Sequence, residues 1–193
     1  MEEQFIEEKT YKKKNFSESG LEKGDYELCT FLNCNFFNSD LSKIRFIDCE
    51  FYDCDLSTAY ILQTGFQNVL FKDCKMLGLQ FDKCNGFGFL IKVDSCQLNH
   101  SSFFKRKLSK ISFKNTKLLE VDFTECDLSS SVFDNCDLKN AIFKSTNLQN
   151  TDFVSSYHFS IDPENNQIKG AKFTLETVVG LLTKYHIKIE PNF

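Results

Sequence analysis

No run of about 18 apolar residues occurs anywhere in this 193-residue chain, so no membrane-spanning helix is expected. Met1 is followed by Glu2, Glu3, Glu7 and Glu8 rather than by a basic and then apolar leader, so no secretion signal is expected either, and the location expected is cytoplasmic. No charge of one sign dominates: 23 Lys and Arg stand against 27 Asp and Glu, a net of −4. Phosphate-gripping surfaces need clustered bases, so direct nucleic-acid binding is not expected. Metal-ligand spacings are also lacking, because none of the nine cysteines forms a CxxC or Cys/His set. His100, His158 and His186 have no nucleophile or metal partner at a recognisable spacing, and Gly86 and Gly88 lack the strand and helix that a nucleotide loop requires. The chain is expected to need no cofactor and not to be an enzyme. Tryptophan is absent and proline occurs only twice, yet there are 22 phenylalanines and an odd number of cysteines.

Those residues are periodic. Stepping by five from Phe16 gives Leu21, Tyr26, Phe31, Phe36, Leu41, Phe46, Phe51, Leu56, Ile61, Phe66, Phe71, Met76 and Phe81, all large and apolar. A second series runs from Leu98 to Phe153 with Leu and Phe in strict alternation. Five matches neither the helical 3.6 nor the strand period of 2, so the chain must turn every five residues. The position two before each large residue is often small, as at Cys29, Cys34, Cys49, Cys54, Thr64, Cys74, Cys96, Thr116, Cys126, Ser131 and Cys136, and Cys84 belongs to the same lattice just before the pattern slips. Residues two apart in an extended segment share a face, so each pentapeptide reads as a short side with a small and a large residue pointing inward, then a polar turn. Stacked sides make a solenoid with a dry interior. The period-ten alternation favours twenty residues per coil, which stacks Leu on Leu and Phe on Phe, over fifteen, which mixes them.

The segments Cys126-Asp127-Leu128-Ser129-Ser130, Cys136-Asp137-Leu138-Lys139-Asn140 and Thr146-Asn147-Leu148-Gln149-Asn150 resemble the A(D/N)LXX unit of pentapeptide-repeat proteins. That resemblance covers about three quarters of the chain and implies an all-β solenoid, a right-handed quadrilateral β-helix. Ser160-Ile161-Asp162-Pro163 and Gly170-Ala171-Lys172-Phe173, followed by an apolar helical pattern, are similar to the ending of the Qnr-like quinolone-resistance group. Its members are dimeric rods that engage DNA gyrase and topoisomerase IV and imitate duplex DNA. The resemblance therefore implies a homodimer that binds a bacterial type II topoisomerase by partial DNA mimicry and protects it from, or modulates, quinolones. Rows of outward carboxylates are what such a role asks for, and Asp25, Asp40, Asp48, Glu50, Asp53, Asp55 and Asp73 are the candidates. The other class of function is a general protein-interaction scaffold. An unbroken acidic face favours the first; a mixed surface with an exposed apolar loop at Phe87 and Phe89 favours the second.

Residues 1–157 are expected to form the β-helix, with 1–15 as a capping coil and a two-residue frame slip over 82–97. Around Asn85-Gly86-Phe87-Gly88-Phe89-Leu90-Ile91 the chain either protrudes to meet a partner or bulges with Phe87, Phe89 or Ile91 in the core. Residues 158–193 are expected to hold a last coil, a helix over about 174–185 with Thr174 as its N-cap, and a strand over His186–Glu190. The apolar surface of Val178, Val179, Leu181, Leu182 and Tyr185 is wide enough both to plug the last coil and to form a dimer seam. Arg106 falls on an inward position, where a bare charge is too costly, so either the backbone bulges or the side chain reaches outward. Six bases over 105–117 precede six acids over 120–137, and a twenty-residue register lays Lys105 over Glu125, Lys107 over Asp127, Lys114 over Asp134 and Lys117 over Asp137. The cysteines read as small buried hydrophobes.

Overall fold

Residue i sits beside residue i+20 through most of this chain: Phe31 pairs with Phe51, Phe46 with Phe66, and Phe113 with Phe133, always in parallel. A computed structural model describes residues 4–190, so the outermost three residues of the expected first coil and of the C-terminal unit lie outside the described residues. Twenty residues per coil and a turn every five make four sides.

One side is a four-stranded sheet of β1 (Gln4–Glu7), β3 (Gly24–Glu27), β5 (Arg45–Ile47) and β7 (Gly65–Gln67). The next is a seven-stranded sheet of β2 (Thr10–Lys12), β4 (Thr30–Leu32), β6 (Glu50–Tyr52), β8 (Val69–Lys72), β9 (Ile91–Asp94), β10 (Ser112–Lys114) and β11 (Val132–Asp134). The other two sides are held by single parallel bridges such as Asn35 with Asp55 and Ser102 with Asp122. At about 4.8 Å per coil, the seven-stranded sheet alone spans about 30 Å.

The corners explain the polar letters of the repeat. A residue two after each large one adopts positive φ, for example Asp48 (50°), Asp53 (51°), Thr58 (55°), Asn68 (54°) and Asp73 (55°). Left-handed backbone costs an ordinary L-residue roughly 1–2 kcal/mol, and Asn and Asp tolerate it best. Carboxylates just before the large residue brace the same turns: Asp40 accepts from Ser42 N and Asp55 from Ser57 N, each at 2.9 Å.

Inside, the large residues stack in columns. Phe31 lies parallel to Phe51 with centroids 4.6 Å apart, and Phe103, Phe123 and Phe143 follow at 5.5 and 5.3 Å. Rings on adjacent sides meet edge to face, as for Phe123 and Phe133. The small positions do more than leave room. All nine cysteine thiols donate to a carbonyl of the preceding coil, among them Cys49 to Tyr26 O at 3.2 Å and Cys126 to Phe103 O at 2.8 Å. Thr64, Ser131, Thr151 and Ser156 make the same bond through a hydroxyl, to Leu41, Leu108, Leu128 and Phe133. A buried carbonyl thus finds its donor, which Ala at the same place cannot supply. The reading of the cysteines as plain small hydrophobes is therefore incomplete.

Both ends depart from the repeat. Near the start a four-residue helix, α1 (Phe16–Ser19), replaces one side. Its Phe16 carbonyl accepts from Gly20 N, and Ser39, which the column spacing would aim at that oxygen, is left with its buried hydroxyl unpartnered.

At the other end the expected helix over 174–185 is not found. Thr174 does take the Thr177 N–H at 3.2 Å, but the chain then runs through a turn and two short 3-10 segments, Val178–Leu181 and Thr183–Tyr185. The strand expected over His186–Glu190 is also not formed. Tertiary contact overrides helical period here: Gly180 lies so close to Phe159 that a Cβ would meet its carbonyl oxygen at 2.5 Å, and Gly180 O accepts from Ile161 N at 3.0 Å. Lys184 then ties the segment down, reaching Asp162 and Glu164 at 2.6 Å each, while Tyr185 donates to Glu164 at 2.8 Å.

Candidate partner-binding surface

The repeat breaks once in the middle of the rod. Six residues, 85–90, take the place that 65–68 fill one coil below: Asn85 N donates to Thr64 O at 2.9 Å, and Val69 N to Leu90 O at 3.0 Å. From there the register is twenty-two, with Phe71 beside Val93. Both sequence expectations are met in part. Ile91 is buried and Phe89 is half-buried against the core, whereas Phe87 is 78% exposed. Asn85 Oδ1 accepts from Phe87 N at 2.9 Å, which sets the turn, and Gly88 supplies a φ of 64° at its crest.

Arg106 holds this loop. It occupies an inward small position between Cys84 and Cys126 in its column, and its Nε donates to Phe81 O at 2.7 Å, the bond a thiol or hydroxyl makes elsewhere. The rest of the guanidinium leaves the core sideways, donating from Nη2 to Cys84 O and lying 4.9 Å over the ring of Phe89. Burial pushes the neighbouring Cys84 thiol up to about 12 even though the Arg106 charge favours its thiolate.

The seven candidate carboxylates do not form one face. Asp25 is a correction to the expectation of outward acids: it is buried and paired with Arg45, whose Nε donates to it at 2.6 Å. Asp40 lies on a different side, paired with Lys23 at 3.1 Å; partial burial works to raise its carboxyl, but hydrogen bonds from Ser42 and then the Lys23 cation hold it below the usual range. Glu50 stands on β6 and accepts from Tyr52 OH at 3.1 Å, and Asp55 faces Lys75 at 3.6 Å on the following side. Asp48, Asp53 and Asp73 sit at left-handed corners, two of them stacked. The surface is mixed, with carboxylates on every side and cations between them.

Further along, Lys105 closes on Glu125 at 3.4 Å. Lys107, Lys114 and Lys117 are in register with Asp127, Asp134 and Asp137, but those acids take Asn147, Ser155 and His158 as their partners.

Of the expected seam residues, Leu181 packs against the core, Val178 and Leu182 are half-buried, and Val179 and Tyr185 are 40% and 48% exposed. Leu175, which shares the helical spacing of Val178, Val179 and Leu182 in the sequence, is 88% exposed, and Ile187 and Ile189 extend this apolar end. Arg106 was noticed as an anomaly, but its partners were out of reach, since Phe81, Cys84 and Phe89 are brought to it only by the coil.

The fold and columns define a class, the solenoid of pentapeptide repeats. Residues 122–156 match the family model described as pentapeptide repeats, in 8 copies. Among solved structures, the chain is similar to QnrB1, a plasmid-mediated fluoroquinolone resistance protein. A trypsin-treated variant of QnrB1 aligns at 18% identity over 97% of this chain and 92% of that one, with a TM-score of 0.72. The full-length QnrB1 structure aligns at 17% identity over 95% and 100%, with a TM-score of 0.63. No curated protein sequence matches this chain.

Proposed function

We propose that this protein is a Qnr-like, non-catalytic rod that binds a bacterial type II topoisomerase in the cytoplasm, acts as a homodimer, and modulates the enzyme's response to quinolones. The observation that carries the reading is the superposition on QnrB1 over 97% of the chain. The loop at 85–90 supplies a contact of the right kind, an exposed aromatic on a pinned turn, and such anchors dominate protein interfaces. Because the carboxylates are spread over four sides, imitation of DNA is confined to short stretches of surface, and the loop contributes the specificity. Val178, Val179, Leu182 and Tyr185, with Leu175 beside them, form the seam between protomers.

The test is gyrase supercoiling with and without a fluoroquinolone, titrating in the wild type, a Phe87→Ala variant and a Val178→Asp/Leu182→Asp variant. Inhibition or drug protection by the wild type, weakened by Phe87→Ala, is the expected result. Absence of any effect of the folded wild type on gyrase and on topoisomerase IV overturns the proposal and leaves a scaffold for another protein.

A further inference from the structure

The chain contains one Asn-Gly pair, Asn85-Gly86; every other asparagine precedes a residue with a Cβ. It falls in the single break of the repeat, where Gly86 is exposed and Asn85 is half-buried. From these placements we propose that Asn85 is a site of spontaneous deamidation, through which the loop rewrites its own charge and shape with time.

Three features of the loop favour the reaction. Gly86 N–H makes no hydrogen bond among the described residues, so its nitrogen is available as the nucleophile. Gly86 carries no side chain to obstruct the approach; its only near neighbour at the Cβ position is Arg106 Nη1, at 3.3 Å. The Asn85 carboxamide oxygen accepts from Phe87 N at 2.9 Å, and that donor stabilises the negative charge that builds on the oxygen during attack. Asparagines at the regular corners differ, because their neighbours belong to the packed repeat and their side chains are tied into ladders, as Asn135 is to Asn115 at 2.9 Å.

The chemistry balances with water alone. Deprotonated Gly86 N attacks Asn85 Cγ, the N–Cγ bond forms, the Cγ–Nδ2 bond breaks, and Nδ2 leaves as ammonia after taking up a proton. Water then opens the succinimide ring at one of its two carbonyls, giving aspartate or isoaspartate at 85. Either product puts a negative charge at 85, between Cys84 and Gly86, the two residues that the Arg106 guanidinium approaches. Isoaspartate also lengthens the main chain by one carbon, which breaks the turn that presents Phe87. The proposal stands whatever partner the loop meets.

The experiment tracks the full-length protein during incubation at physiological temperature, at neutral and mildly alkaline pH, by peptide mapping of the tryptic fragment Cys84–Lys92. A mass gain of about 1 Da in that fragment is expected, splitting into two isomers. Isoaspartate methyltransferase with S-adenosylmethionine should label one of them. The rate should rise about tenfold per pH unit, as the anion of a very weak acid does, and the gain should be lost in Gly86→Ala, whose Cβ needs only a small shift of the Arg106 side-chain end that lies 3.3 Å away. A urea-unfolded sample serves as reference. If the folded chain stays unmodified at 85 while the unfolded chain gains mass there, the fold protects the site and the proposal is overturned. An equal gain at other asparagines of the folded chain overturns it as well.

Discussion

Arg106 donates from Nε to the carbonyl of Phe81 at 2.7 Å, standing in for the thiols and hydroxyls that occupy the same position in other coils. A charged, long residue is tolerated in a column of Cys and Thr because it keeps their hydrogen bond and sends its remaining donors to the loop. Replacing it separates the two roles. Arg106→Ala should cost about 1.5–3 kcal/mol, the usual range for a charged hydrogen bond removed from a buried acceptor. Arg106→Ser should recover part of that loss while leaving Leu90 and Phe89 amides as fast to exchange as in the alanine variant. Urea unfolding and amide exchange together check this.

Phe123 sits at the middle of a ring stack, between Phe103 and Phe143, with Phe113 and Phe133 edge-on. Neighbouring coils are fixed at strand spacing and cannot close over a missing ring. Phe123→Ala should therefore destabilise by about 3–5 kcal/mol, and Phe87→Ala, at an exposed position, by less than about 0.5 kcal/mol. Denaturant midpoints of the two variants give the comparison.

The C-terminal cap should be acid-labile. Hydrogen bonds from Lys184 hold the Asp162 and Glu164 carboxyls below the usual range. Lowered carboxyl groups contribute stability that is present above the unfolded value of about 4 and is lost as pH falls through the folded one. Exchange of Ile161 N–H, which donates to Gly180 O, should accelerate below about pH 4, and Lys184→Ala should show that fast exchange already at neutral pH.

Burial pushes the thiols of Cys49, Cys84, Cys126 and Cys136 up to about 12. Thiolate is the reactive form and all nine thiols are buried, so the folded protein should leave a disulfide reagent at pH 8 unconsumed, and unfolding should release nine reactive thiols. For these raised groups stability is complete below the unfolded thiol value of about 8.5 and declines as pH rises towards 12. A titration of thiol reactivity against urea tests both statements.

Much of the architecture was legible in the chain. A period of five forces a turn after each short side, and the Leu/Phe alternation selects twenty residues per coil; the pairing of Phe31 with Phe51 is the direct result. Once the coil length is known, the scatter of Asp25, Asp40, Glu50 and Asp55 over the four sides comes from numbering alone. The frame slip was visible as well, but spacing left protrusion and bulge as alternatives, and only the structure divides them, with Ile91 inward and Phe87 outward. The C-terminal segment was misread because Val178, Val179 and Leu182 keep a helical spacing that local pattern rewards, while its conformation is set by the contact of Gly180 with Phe159.

The sequence by itself determined the coil, the columns and the place of the break, because all three depend on the size and spacing of residues close along the chain. Only the tertiary structure decided where Arg106 sends its guanidinium, which carbonyl each cysteine meets, and how the last residues close the end of the stack. Those outcomes depend on atoms about twenty residues apart that become neighbours when one coil settles on another, and short-range spacing carries no record of their directions.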